Sequence, residues 1–182
     1  DVTLNESLPL IASVKIPNVM PGTLGTSRYK PLGVMVVVGP FNFPGHLPNG
    51  HIVPALATGN TVIFKPSEKT PMTGQILVEA AHEAGFPPGV FNLIQGDREL
   101  SRRLCIHEHV AGILFTGSYE VGTRIKQDTL QQHWKLLALE MGGKNPAIIW
   151  NDADLDVAAY DLLTGAFLTA GQRCTSTSRA CR

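Results

Sequence analysis

Short, almost unbroken apolar runs recur along this chain with helical patterns between them. That alternation restricts the fold more than any other feature. The runs are "GVMVVVG" (33–39), "TVIF" (61–64), "VFNLI" (90–94), "GILF" (112–115), "KLLALE" (135–140) and "AIIW" (147–150). A strand with one wet face alternates apolar and polar residues, whereas a strand buried on both faces reads as a continuous apolar run. Between the runs, Thr70 offers a hydroxyl N-cap and Pro71 fits the first helical position. Ile76, Leu77, Ala80, Ala81 and Ala84 then share one face, and Gly85 stops the helix. A second helix starts at about Asp154, with Leu155, Ala158, Ala159, Leu162, Leu163, Ala166, Phe167 and Ala170 at helical spacing and Gly171 as its end. Weaker helices are expected within 45–58, 97–105 and 118–130, the first interrupted by Pro48 and Pro54. Strand and helix in alternation predict right-handed βαβ crossovers. The expected fold class is therefore α/β, a doubly wound (Rossmann-like) parallel sheet. The closing "SRACR" reads as a further strand just starting.

Length and charge narrow the function. At 182 residues the chain is one large domain, or a domain with a short appendage. Its formal net charge of zero gives no reason to expect a nucleic-acid or membrane-surface partner. No apolar run is long enough to span a bilayer, and the opening "DVTLNESLPLIASVK" is acidic where a signal peptide would be basic. Three cysteines, Cys105, Cys174 and Cys181, form an odd and sparse set. Reduced thiols and a cytoplasmic location are expected from that. Cys105 and Cys181 are expected to be buried. His107 and His109 flank Glu108 near Cys105, but the spacing fits no common zinc pattern, so no metal is expected.

Doubly wound sheets bind ligands beyond the carboxyl ends of their strands. The loops that follow the apolar runs are therefore the candidate site. In "FTGSYEVG" (115–122), Gly117 allows a tight turn, and Ser118 with the amides behind it offers a phosphate site at a helix start. The usual GxGxxG fingerprint is absent. In "IFKPSEKTP" (63–71), Lys65 can donate to ribose hydroxyls or phosphate and Glu68 can accept from hydroxyls; the alternative is two solvated loop charges. In "ALEMGGKNP" (138–146), Glu140 ends an apolar strand. It is either partly buried with a raised pKa, as suits a general base, or paired and structural. Asn42 in "GPFNFPG" can donate to an oxyanion or hold a turn. His46 and His51 follow it and can line a substrate path or cap the helix. Cys174 sits in "TAGQRCTSTSR" (169–179), where the neighbouring Arg173 favours a thiolate.

Taken together, these segments resemble the aldehyde dehydrogenase superfamily. "PLGV", "PFNFP", "PALATGN", "FKPSE", "AGFPPGVFNLIQG", "FTGS", "LEMGGKNP" and "GQRC" occur in the family's order and spacing from about Pro31 onward. Residues 1–30 match less well. The resemblance implies a lead-in at 1–30 with part of a crossing β-hairpin, an NAD-binding domain at 31–150, and a linking helix with the entry to a catalytic domain at 151–182. The rest of that domain would lie outside this segment. It implies Cys174 as nucleophile, Asn42 as oxyanion donor and Glu140 as the base for thioester hydrolysis. Lys65, Glu68, Gly117, Ser118, Phe41 and Gly122 would hold the cofactor, which would be NAD. Many family members carry Trp where this chain has Phe41. The stretch "GPFNFPGHLPNGHIVPAL" is similar to one branch whose semialdehyde substrate carries two carboxylates; Lys144 departs from that branch. Arg173 and His46 are the candidates for recognising such a substrate. A homodimer or higher homo-oligomer of the full-length protein is also implied. Two other readings stay open: a non-catalytic nucleotide-binding fragment, and an aldehyde dehydrogenase for another semialdehyde. A structural descendant has no need of Asn42, Glu140 and Cys174 together, and a CoA-acylating relative would lack Glu140.

Overall fold

The computed structural model describes residues 3–17 and 19–181. A π-helical turn over Thr3–Ser7 leads into α1 (Leu8–Leu10) and an antiparallel hairpin, β1 (Val14–Ile16) with β2 (Gly25–Ser27). The chain then winds the body of the molecule: β3 (Val34–Val38), α2 (His46–Ala57), β4 (Thr61–Lys65), α3 (Pro71–Glu83), β5 (Phe91–Leu93), α4 (Arg98–Ile106), β6 (Val110–Gly117), α5 (Tyr119–Asp128) and β7 (Leu136–Met141). It ends with β8 (Asn145–Ile148), α6 (Leu155–Phe167) and β9 (Thr177–Cys181).

The five central strands are parallel, in the order β5-β4-β3-β6-β7. Successive residues of a strand point to opposite faces, so each apolar run feeds two cores. Met35, Val37, Phe64 and Leu114 face α2 and α3, packing against Ile52, Ala55 and Val78. Val36, Val38, Ile113 and Phe115 face α4 and α5, packing against Cys105 and Ile125. Val36, Val37, Val62, Phe64 and Ile113 are fully buried, each such side chain contributing about 1.5–3 kcal/mol. Helices on both faces make the fold the expected doubly wound α/β type. The order grows outward in both directions from the β3 and β6 pair, so the topological switch point lies between these two strands.

The structure departs from expectation in four places, each with a local cause. The "AIIW" run does not join the central sheet. After β7 the chain turns at Gly142 and Gly143, and 145–148 pairs with β9 in a separate parallel ribbon that leaves Ile148 and Trp150 exposed. Helix α6 ends at Phe167, because Ala170 (φ 52°) and Gly171 (φ 70°) both turn left-handed before it could reach Gly171. Pro71 does open α3, but the Thr70 hydroxyl makes no cap bond and is buried without a partner. Cys181, expected inside, is exposed on the last strand of the ribbon. Despite two prolines α2 is continuous: Pro48 lies in the first turn, where no helical acceptor is needed, and Pro54 deprives only the exposed Gly50 carbonyl. No helix among the described residues is long and apolar enough to cross a membrane.

Candidate active site

A cleft of about 1160 Å³ opens at the carboxyl ends of the central strands, over the switch point. Gly39, Lys65, Thr116 and Glu140 line it from the ends of four strands, and Asn42 and Cys174 from two loops. Phe41, Glu68, Gly117, Ser118 and Arg173 also line it. Residues remote in sequence are thus gathered: most end or follow a strand of the central sheet, while Arg173 and Cys174 come from the loop after α6.

Lys65 ends β4 and is buried, and its ammonium meets the exposed Glu68 carboxylate at 3.3 Å. That excludes the picture of two solvated charges. Glu68's backbone N–H and the Lys65 ammonium hold its carboxyl below the usual carboxylate range. Lys69 covers the Phe41 ring, its ammonium 4.8 Å from the centroid. The Ser118 hydroxyl caps α5 by accepting from the Val121 N–H at 3.3 Å. Its neighbour Gly122 is buried and does not line the cleft: a Cβ there would press on Met141 and the Phe115 ring, so the glycine serves the close packing of α5 on the sheet.

Glu140 fits neither expected environment. It is exposed and forms no ion pair among the described residues. Its strand register places it opposite Thr116, on the sheet face that carries α2. His51 of α2 reaches the same spot, its Nε2 3.2 Å from the Thr116 hydroxyl. Burial pushes the His51 imidazole below its ordinary value, and the Glu140 carboxylate partly offsets this. His46, by contrast, is exposed at the start of α2 and does not line the cleft.

Cys174 is exposed, on the loop between α6 and β9. The side-chain amide of Asn42 donates to the Gln172 carbonyl at 2.7 Å, tying the loop after β3 to the nucleophile loop. The Arg173 guanidinium lies 5.7 Å from the Phe43 ring centroid, and its Nε is buried with no partner among the described residues. Asn145 donates to the carbonyls of Cys174 and Ser176. Sequence reasoning passed over Asn145, Thr116 and Gln172. Asn145 alone left a trace, as a polar residue fixed before a proline.

The cleft suits a dinucleotide. It crosses the switch point, holds a buried ammonium for which one acceptor is found among its three N–H donors, and touches the start of α5. Among the described residues, no group of three or more His, Cys, Asp or Glu is placed to hold a metal.

The comparisons agree with this geometry. A family model described as the aldehyde dehydrogenase family matches residues 5–181. The chain belongs to the aldehyde dehydrogenase family. An N-succinylglutamate 5-semialdehyde dehydrogenase of Escherichia coli is 52% identical over 160 residues, covering 88% of this chain and 32% of that protein. The chain thus spans about a third of the length of the curated relatives it matches. An aldehyde dehydrogenase from Brucella melitensis biovar abortus superposes with a TM-score of 0.90 at 34% identity, over 96% of this chain and 36% of that one. An Escherichia coli enzyme described as NADP-dependent superposes at 0.89, also at 34% identity, over 94% of this chain and 36% of that one. The aldehyde dehydrogenase fold of these neighbours is the one described above.

Proposed function

We propose that this chain carries the cofactor cleft and nucleophile of an NAD-dependent enzyme that oxidises N-succinyl-L-glutamate 5-semialdehyde to N-succinyl-L-glutamate. The observation that carries the reading is the convergence of Asn42, Glu140 and Cys174 on one cleft at the switch point. The substrate rests on the 52% identical relative of that name.

Cys174, as thiolate, attacks the aldehyde carbon and forms a hemithioacetal. The Asn42 amide has one hydrogen engaged by the Gln172 carbonyl, and its second hydrogen donates to the oxyanion together with the Cys174 N–H. NAD, when bound, supplies the acceptor for the hydride, and a thioester on Cys174 remains. Glu140 takes a proton from water, the hydroxide adds to the thioester, and the tetrahedral species expels the Cys174 thiolate to give the acid. Lys65, Glu68 and Phe41 would hold the adenosine side, with Gly117, Ser118 and the α5 start taking the pyrophosphate. An ionised Glu68 repels a 2′-phosphate, which favours NAD over NADP. Arg173, which lines the cleft, would meet a substrate carboxylate through its guanidinium. The unpaired cysteines suit a cytoplasmic enzyme. The β1 and β2 hairpin is the candidate for subunit association.

The test is NADH formation with NAD and N-succinylglutamate semialdehyde, ranked against succinic and glutamic semialdehydes, with Cys174→Ser as control. Preference for the succinylated substrate, abolished in Cys174→Ser, supports the proposal. Preference for another semialdehyde rejects the substrate. NAD binding without turnover favours a nucleotide-binding segment that does not react by itself.

A further inference from the structure

Two asparagine side chains hold the nucleophile loop by alternate carbonyls. Asn42 takes that of Gln172, and Asn145 takes those of Cys174 at 2.7 Å and Ser176 at 3.0 Å. All three acceptors are carbonyl oxygens, so each amide must present its NH₂ group. The Asn145 clamp arises from the local sequence. Asn145 pairs with Thr177 at the start of the β8 and β9 ribbon, but the next residue, Pro146, has no N–H for the ladder. The register slips there so that Pro146 faces Arg179, and Ser178 is left over as a bulge. The Asn145 side-chain amide reaches past the first residue pair of the ribbon to the Ser176 and Cys174 carbonyls, and so extends the ribbon back to the nucleophile. Asn145 is also joined to Glu140 by only Met141, the last residue of β7, and the link over 142–144, in which Gly142 and Gly143 lie.

We infer that Asn145 is a positioning residue that fixes the Cys174 loop against the strand bearing Glu140. The inference rests on the reading of Cys174 and Glu140 given above. Asn42 grips the 172–173 peptide and Asn145 the 174–175 peptide, so the two amides bracket the 173–174 peptide, which carries the Cys174 N–H. Asn145→Asp keeps the size and reverses the polarity, setting a carboxylate against two carbonyls. Asn145→Ala removes both bonds.

Two readouts test it. Trypsin cleaves after Arg173, inside the clamped loop, so cleavage there reports loop opening without any catalysis. Both variants are expected to raise that cleavage roughly tenfold or more, with other sites unchanged. The burst of NADH in the full-length protein should slow roughly tenfold to a hundredfold, with substrate KM and NAD affinity retained. Asn145→Ser, which keeps one hydroxyl donor, should fall between wild type and Asn145→Ala, and it serves if Asn145→Asp does not fold. Wild-type cleavage in Asn145→Ala would overturn the clamp. Raised cleavage with a wild-type burst would overturn its role in positioning. If wild type binds NAD but gives no NADH, the catalytic reading fails, and the cleavage result still decides whether the clamp exists.

Discussion

Cys105 and Cys174 show how position sets the behaviour of the same side chain. Cys105, on α4, turns its side chain into the core, and burial pushes its thiol up to about 11, so it stays protonated at neutral pH. Cys174 and Cys181 are exposed. Iodoacetamide should therefore label Cys174 and Cys181 in the native protein and reach Cys105 only after denaturation; peptide mass spectrometry reads this directly. His51 makes a second prediction. Burial lowers its folded value below the ordinary 6.5, so as pH falls the unfolded chain takes up a proton first. Stability from the neutral imidazole is full above about 6.5 and is lost as pH drops through the folded value. Urea titrations should show that acid-dependent loss in wild type and a smaller one in His51→Gln. At Glu68, removing the charge with Glu68→Gln should lower the preference for NAD over NADP by roughly twofold to tenfold. Steady-state kcat/KM for the two cofactors measures it, and an unchanged ratio would remove Glu68 from cofactor selection.

At the scale of elements, the sequence was most legible where burial dictates residue type. The runs around Val36, Phe64 and Ile113 could only be two-faced strands, and they form β3, β4 and β6. Ile113→Ala should cost about 2–5 kcal/mol in chemical denaturation, because Ile113 is fully buried in the core that faces α4 and α5 and its loss leaves a cavity there. Caps were less legible. Asp97 and Ser118 cap α4 and α5 as their side chains allow, while Thr70 precedes an equally good helix without capping it. Whether a hydroxyl caps depends on its backbone angles, which no residue type fixes. Asp97→Ala should lower stability by about 1 kcal/mol. The end of α6 and the fate of "AIIW" were misread for a related reason. The end of α6 depends on the left-handed backbone at Ala170, which residue type does not fix, and the fate of "AIIW" on the pairing of β8 with β9, a contact between segments that sequence pattern alone does not join. The Asn145 clamp escaped for the same reason, since its acceptors lie 29 and 31 residues away.

At the scale of the molecule, the strand order does what no single motif can. It sets the loops after β3, β4, β6 and β7 around one switch point, so that residues from Asn42 to Cys174 share a cleft. Motif order made that site legible in outline, but not its surroundings. Glu140 and Cys174 are exposed, and Leu163 and Phe167 of α6 face outward, in a chain that spans about a third of its relatives' length. The central claim is that Cys174 carries the acyl group and Glu140 releases it. The most direct measurement uses the full-length protein with Glu140→Gln, treated with NAD and N-succinylglutamate semialdehyde, quenched in acid and digested with trypsin. The peptide 174–179 separates Cys174 from Cys181. The N-succinylglutamyl acyl mass is expected on that peptide in the variant, and little of it in wild type at steady state. An unmodified 174–179 peptide alongside a stoichiometric NADH burst would contradict it.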